Sequence, residues 1–137
     1  YRRQRQMCIR DSWSTETAAK MFHQFLQTGQ PVDAVICNND SMAVGVAQEV
    51  QKAKIDTNTL PILGVDATTD GLDLISQGAM ACTIFQPAKG QGEAAVKAAE
   101  KLASGQSVAS LDGAEHNGLF VWVPFEQVTA ENLSQYQ

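Results

Sequence analysis

The chain reads as an α/β fold built on a parallel sheet, and three observations lead there. Val35-Ile36-Cys37, Ile62-Leu63-Gly64-Val65 and Ala81-Cys82-Thr83-Ile84-Phe85 are short apolar runs with strand character. Each is followed by a segment of helical character, which gives the alternation βαβαβα. Each also runs into polar residues: Asn38-Asn39-Asp40, Asp66 and Gln86. In open α/β sheets, ligands bind beyond the carboxyl ends of the strands. An amide, a carboxylate and a second amide meeting there suit a small polyhydroxylated ligand better than a phosphate or a metal ion.

All four arginines, Arg2, Arg3, Arg5 and Arg10, fall within the first ten residues. So abrupt a change of composition sets residues 1–12 apart as a foreign, unstructured segment resembling translated adapter DNA, the alternative being a basic natural tail. The segment has no apolar stretch of the kind a signal peptide needs. After it, Ser14 can cap a helix whose apolar residues Ala18, Met21, Phe22, Phe25 and Leu26 keep one stripe, and Gly29 ends it. Pro31 leads into the first strand. Asp40 or Ser41 begins a second helix, with Met42, Val46 and Val50 inward beside Ala43 and Ala47. Gly45 is expected to allow close packing of that helix on the sheet.

Pro61 opens the second strand, and Thr68 or Thr69 caps a short helix that carries Leu72, Leu74 and Ile75 and stops at Gly78. Beyond Gln86-Pro87, an alanine-rich helix is expected over about 92–104, closed by Gly105. Residues 106–118 read as loop and 119–123 as a last strong strand, interrupted by Pro124. A terminal helical turn is expected to begin over 129–132.

The net charge is −5, and without residues 1–12 six lysines face fourteen acids, a net of −8. Such a body lacks the cationic surface that sequence-independent nucleic-acid binding requires. No apolar run approaches the ~20 residues of a membrane-spanning helix. Cys37 and Cys82, inside expected buried strands, read as buried free thiols rather than a disulfide. The sequence holds no glycine-rich phosphate loop, metal-ligand cluster or His/Cys pairing suited to nucleophilic catalysis, so neither a cofactor nor a catalytic residue is expected. His23 and His116 lack catalytic partners, and Lys20, Lys52, Lys54, Lys97 and Lys101 read as solvated helix faces.

Taken together, segments 35–45, 63–71 and 78–86 resemble the ribose/galactose-type periplasmic binding proteins of ABC transporters. The order, the strand context and the separations carry the resemblance: 27 residues from Asn39 to Asp66, then 20 from Asp66 to Gln86. It extends over residues 13–137. The runs Trp122-Val123-Pro124-Phe125-Glu126-Gln127-Val128-Thr129 and Phe85-Gln86 to Gly90-Gln91-Gly92 look most like inositol- and rhizopine-type members. The resemblance implies a type 1 periplasmic-binding-protein-like lobe, incomplete, with part of a second lobe. In such proteins two lobes joined by three crossover strands close on the ligand about a hinge. Residues 13–86 would form a partial carboxyl-terminal lobe and 87–124 elements of the amino-terminal lobe, while 125–137 return to the first. Most of the amino-terminal lobe would lie upstream.

The resemblance further implies that Asn39, Asp66 and Gln86 meet ligand hydroxyls while Trp13 covers a ligand face. The residues themselves leave alternatives open. Asn39 could stabilise a strand-to-helix turn, Asp66 could cap the next helix, and Trp13 could be an ordinary surface or core tryptophan. Asp40 reads as a helix cap or a hydrogen-bond partner inside the lobe. Gln86, preceding Pro87, is biased to an extended form that suits a crossover.

The implied function is capture of a monosaccharide or cyclitol in the periplasm, by a monomer, for delivery to an ABC transporter permease. No reaction and no nucleic acid are involved. The effector domain of a lac-repressor-like regulator shares the fold and the Asn-Asp motif, but usually carries a proline-rich loop in place of residues 77–83. A phospho-receiver domain is the other competitor, since Asn39-Asp40, Asp66 and Lys89 follow three successive strands, yet Lys89 lies after Pro87 and no early acidic pair precedes the first strand to hold magnesium.

Overall fold

Helix α1 (Thr15–Gln27) starts at Ser14, whose extended backbone lets its hydroxyl accept from the Thr17 N–H at 3.3 Å. The computed structural model describes residues 13–137, and the expectation about residues 1–12 falls outside them. The chain forms two compact units: one runs to Thr83 and resumes at Val128–Gln137, and the other is Ile84–Gln127.

In the first unit, the α1 stripe buries Ala18 and Phe22 against α2 (Asp40–Lys52), which buries Ala43, Val46, Ala47 and Val50. Gly45 lies at this crossing. A Cβ there would strike the Thr15 carbonyl, so the glycine serves helix–helix packing and not the expected helix–sheet contact. Glu49, only 8% exposed, also joins the two helices. Its carboxylate accepts from Lys52 Nζ at 2.7 Å and pairs with His23 Nδ1 at 3.0 Å. Chiefly the Lys52 hydrogen bond holds the Glu49 carboxyl below its ordinary range, against the opposing effect of burial, with His23 assisting. Lys52 and His23 are therefore more than solvated helix decoration.

Strands β1 (Val35–Ile36) and β2 (Ile62–Leu63) run parallel, with Val35 opposite Ile62 and Ile36 opposite Leu63. Leu63 also bridges in parallel to Cys82, just before β3 (Thr83–Phe85). The regular ladders are shorter than the apolar runs, although the Cys37 and Gly64 N–H groups still donate to the Leu63 and Cys82 carbonyls at 2.8 and 3.0 Å before the chain turns to the polar residues. Ile62 is buried whereas Ile36 is 78% exposed. Successive side chains on a strand point to opposite faces, and the described elements cover only one face of β1. Helix α3 (Thr69–Ser76) is capped by Thr68 and buries Leu72 and Ile75. Val128 and Leu133 complete this core. The terminal turn is a 3-10 helix at Leu133–Gln135, later than expected, since Asn132 first accepts from the Thr129 N–H at 2.8 Å and closes an open turn there.

The second unit holds α4 (Ala88–Ala103), which begins directly after Pro87, earlier than the expected residue 92. Proline's restricted φ, here −72°, and its missing N–H are both compatible with a helix start. None of the α4 residues is buried. Residues 106–118 are more ordered than the expected loop, for Val108–Ser110 form a 3-10 turn and β4 (Ala114–Glu115) pairs antiparallel with β5 (Phe120–Val121). The hairpin turns through positive φ at His116, Asn117 and Gly118. That turn shortens the expected 119–123 strand to two residues, and its aromatic side chains stay outside: Phe120 stacks on Trp122 at 5.7 Å and meets His116 edge-on. Strand β6 (Glu126–Val128), absent from the sequence expectations, leads back to the first unit.

Gly45→Ala should lower stability by ~1–3 kcal/mol, because the added methyl overpacks backbone rather than a flexible side chain. Urea unfolding measures the loss, and an unchanged midpoint would mean that α1 shifts freely on α2.

Candidate functional site

The register of β1 and β2 puts Asn39 and Asp66 equally far beyond a paired couple, three residues past Ile36 and Leu63. The Asp40 N–H donates to the Val65 carbonyl at 2.8 Å, which keeps the two strand ends side by side after the ladder stops. Asn39 is 7% exposed and caps α2, its Oδ1 accepting from the Met42 N–H at 2.9 Å. The turn-stabilising role is therefore real. It occupies the acceptor and leaves the Nδ2 amide with no hydrogen bond among the described residues.

Asp40 is fully buried. Its Oδ2 accepts from the Thr68 N–H at 2.8 Å and the Thr68 hydroxyl at 3.2 Å, and its Oδ1 accepts from the Thr83 hydroxyl at 2.6 Å. Of the two roles expected for Asp40, the hydrogen-bond partner inside the unit is the one observed, and the cap belongs to Asn39. Gly64 and Gly71 press on the carboxylate, since a Cβ at either would collide with one of its oxygens. With three donors already on its oxygens and no solvent access, Asp40 cannot serve as the magnesium ligand that a phospho-receiver reading requires. Among the described residues, no group of three His, Cys, Asp or Glu side chains could hold a metal ion.

Asp66 is half-buried with φ 109°, and Ala67 follows at φ 52°. Two adjacent non-glycine residues with positive φ cost on the order of 1–3 kcal/mol each and persist only where the surroundings hold them. Here Val65 and Thr68 on either side are both hydrogen-bonded to Asp40, and the Ala67 N–H donates to Thr83 Oγ1 at 3.2 Å. The helix cap is Thr68, whose hydroxyl accepts from the Gly71 N–H at 3.2 Å, so the alternative reading of Asp66 as that cap is not realised.

Gln86 follows β3 directly and is half-buried in the second unit. Trp13 precedes α1 with φ 54° and is 58% exposed, and its indole makes no hydrogen bond or ring contact among the described residues. The structure thus brings Asn39 and Asp66 together, while Trp13 lies at the start of α1 and Gln86 belongs to the other unit. Thr83 escaped the sequence reading. A hydroxyl amid an apolar strand was the available signal, since a buried polar group needs a partner.

The periplasmic binding protein domain family matches residues 6–107. The chain belongs to that family. A Rhizobium meliloti protein assigned to rhizopine binding is 35% identical over 126 residues, which are 92% of this chain and 38% of that protein. The D-galactose/methyl-galactoside binding periplasmic protein of Haemophilus influenzae is 34% identical over 77% of this chain and 31% of its own length. A Bacillus halodurans ABC transporter solute binding protein, solved with bound myo-inositol, superposes with a TM-score of 0.70 at 30% identity, covering 90% of this chain and 39% of that one. The chain therefore spans between 31% and 39% of the length of these relatives. The fold is that of a partial type 1 periplasmic binding protein, as the strand-end motifs implied.

Cys37 and Cys82 are free and buried as expected. Burial, and secondarily the Asp40 charge, push the Cys37 thiol up to about 11 from an ordinary 9.0. The unfolded chain ionises this thiol first, so its contribution to stability is complete below pH 9 and declines as pH rises toward 11. Urea unfolding across that range should show Cys37→Ala with a shallower alkaline decline than the parent; identical slopes would contradict the assignment.

Proposed function

We propose that the chain is part of a substrate-binding component of an ABC transporter, one that captures a monosaccharide or cyclitol in the periplasm, acts as a monomer, catalyses no reaction and hands its ligand to the permease. The observation that carries this reading is the fixed pairing of Asn39 and Asp66 at adjacent strand ends. A sugar hydroxyl both donates and accepts, and the Asn39 amide and Asp66 carboxylate supply one donor type and one acceptor type. Asp66, being charged, contributes the stronger hydrogen bond. Gln86 and Trp13 are assigned to the same ligand, the first through its amide and the second through its ring face. The relatives that bind myo-inositol and galactosides support a ring bearing several hydroxyls.

Residues 13–86 and 125–137 are assigned to the carboxyl-terminal lobe, and 87–124 to elements of the amino-terminal lobe. Within the second unit, α4 and the 121–125 segment leave an open groove lined by Ala94, Ala98, Val121, Trp122 and Phe125. Exposed apolar surface of this kind marks a face that other protein covers. The rest of the amino-terminal lobe is the element assigned to it.

In a protein of the relatives' full length, Asp66→Ala should weaken binding of the tightest of myo-inositol, D-ribose and D-galactose by ~1.5–3 kcal/mol, with the fold intact. Asn39→Ala should weaken it less, and its lost cap should also lower stability by ~1 kcal/mol. Calorimetry showing unchanged affinity in both variants would remove the site from these residues. The 137-residue chain alone, with one lobe's contacts and no closure, should bind none of the three sugars tightly. A micromolar dissociation constant, ~8 kcal/mol of binding, would show that a single lobe suffices.

A further inference from the structure

The geometry points to Asp40 as a positioning residue for ligand capture: it never meets the ligand, and it sets the direction of Asp66 by holding the positive-φ pair 66–67 from both sides. This inference rests on the reading of Asp66 as a ligand contact. It goes beyond that reading by locating control of the contact in a residue with no access to the crevice.

Three features converge on Asp40. Its backbone N–H holds the carbonyl of Val65, immediately before the pair, and its Oδ2 holds the N–H of Thr68, immediately after it. Its Oδ1 reaches the pair through Thr83, whose hydroxyl donates to Asp40 and accepts from the Ala67 N–H. Asp66 lies between these two ties, and it is the residue proposed to face the ligand. Gly64 and Gly71 close on the carboxylate from β2 and α3, so it cannot swing to an alternative set of donors.

An amide in place of the carboxylate would keep the size of the side chain and one acceptor oxygen, but it loses the charge and puts an NH2 donor where the second acceptor stands. The Thr68 N–H cannot reverse its role, whereas the Thr83 hydroxyl can. Asp40→Asn should therefore loosen the 65–68 turn selectively, since the bond to the Thr68 N–H loses its charge assistance and the Thr83 hydroxyl must turn to accept from the amide as well as from Ala67. Because Asn39 precedes Asp40 and caps through its own side chain, the α2 start should persist.

The test is a double-mutant cycle in a protein of the relatives' full length, titrated calorimetrically with the tightest of myo-inositol, D-ribose and D-galactose. Asp40→Asn should weaken binding about tenfold when Asp66 is present and less than about twofold in the Asp66→Ala background, the pattern expected when one residue acts through another. Backbone NMR couplings at Asp66 and Ala67 should lose their positive-φ signature in Asp40→Asn. Equal weakening in both backgrounds, or unchanged couplings, overturns the inference. If Asp66→Ala alone leaves affinity unchanged, the ligand reading fails instead, and the couplings still decide whether Asp40 holds the turn. Should Asp40→Asn not fold, Thr83→Val removes the Oδ1 and Ala67 ties together without changing shape, and the same cycle and couplings apply.

Discussion

The hydrogen bonding of one buried carboxylate organises the strand ends of the first unit. Removing a carboxylate from water is costly, and the cost is offset only when donors surround it with good geometry. Asp40 meets that condition with the Thr68 amide, the Thr68 hydroxyl and the Thr83 hydroxyl. Those donors come from separate parts of the unit: the turn after β2 and the start of β3. A parallel ladder of two residues per strand supplies few hydrogen bonds by itself. The carboxylate extends the connection beyond the ladder's end, where the chain has left regular structure and the polar side chains lie.

The two units differ in how they are stabilised. The first has a contiguous apolar core, with Val50, Ile62 and Val128 among its fully buried side chains, and a buried Glu49 joining α1 to α2. The second has a 16-residue helix with no buried residue and leaves Val96, Leu102, Leu119 and Trp122 open. Its fixed points are local. Gly113, with φ 77°, lets the Trp122 backbone approach and donate its N–H at 2.8 Å, and the Trp122 indole donates to Glu115 at 3.1 Å. Apolar surface left in this state contributes little to stability until something removes it from water.

Much of the fold was legible because its signals are local. The Ser14 and Thr68 caps, the Ala18 and Phe22 stripe and the terminating glycines Gly29 and Gly78 each act within a few residues of themselves. What escaped was non-local or conformational. Gly45 announced a close approach, but only the packing of α1 on α2 identifies Thr15 as the neighbour. Composition favoured a helix start among the alanines past Gly92, whereas backbone restriction at Pro87 admits the earlier start at Ala88. For the site, the pairing of Asn39 with Asp66 follows from strand order and residue count. The positive φ at Asp66 and the grip of Thr83 do not, since both arise from partners distant in the chain. A polar residue inside an apolar run reports that a partner exists without naming it.

The positive φ of Asp66 and the capping role of Asn39 together limit how the proposed binding surface can change over evolutionary time. Position 66 favours asparagine, aspartate or glycine, the residues that enter positive φ with least penalty. Position 39 must keep an oxygen able to cap α2, which restricts it largely to asparagine, aspartate, serine and threonine. Single replacements at these positions therefore exchange one short polar group for another and seldom introduce an apolar one. Under the proposed reading, a lineage built on this turn drifts among hydroxylated ligands by small steps, while recruitment to a greasy or bulky ligand would require rebuilding the backbone first.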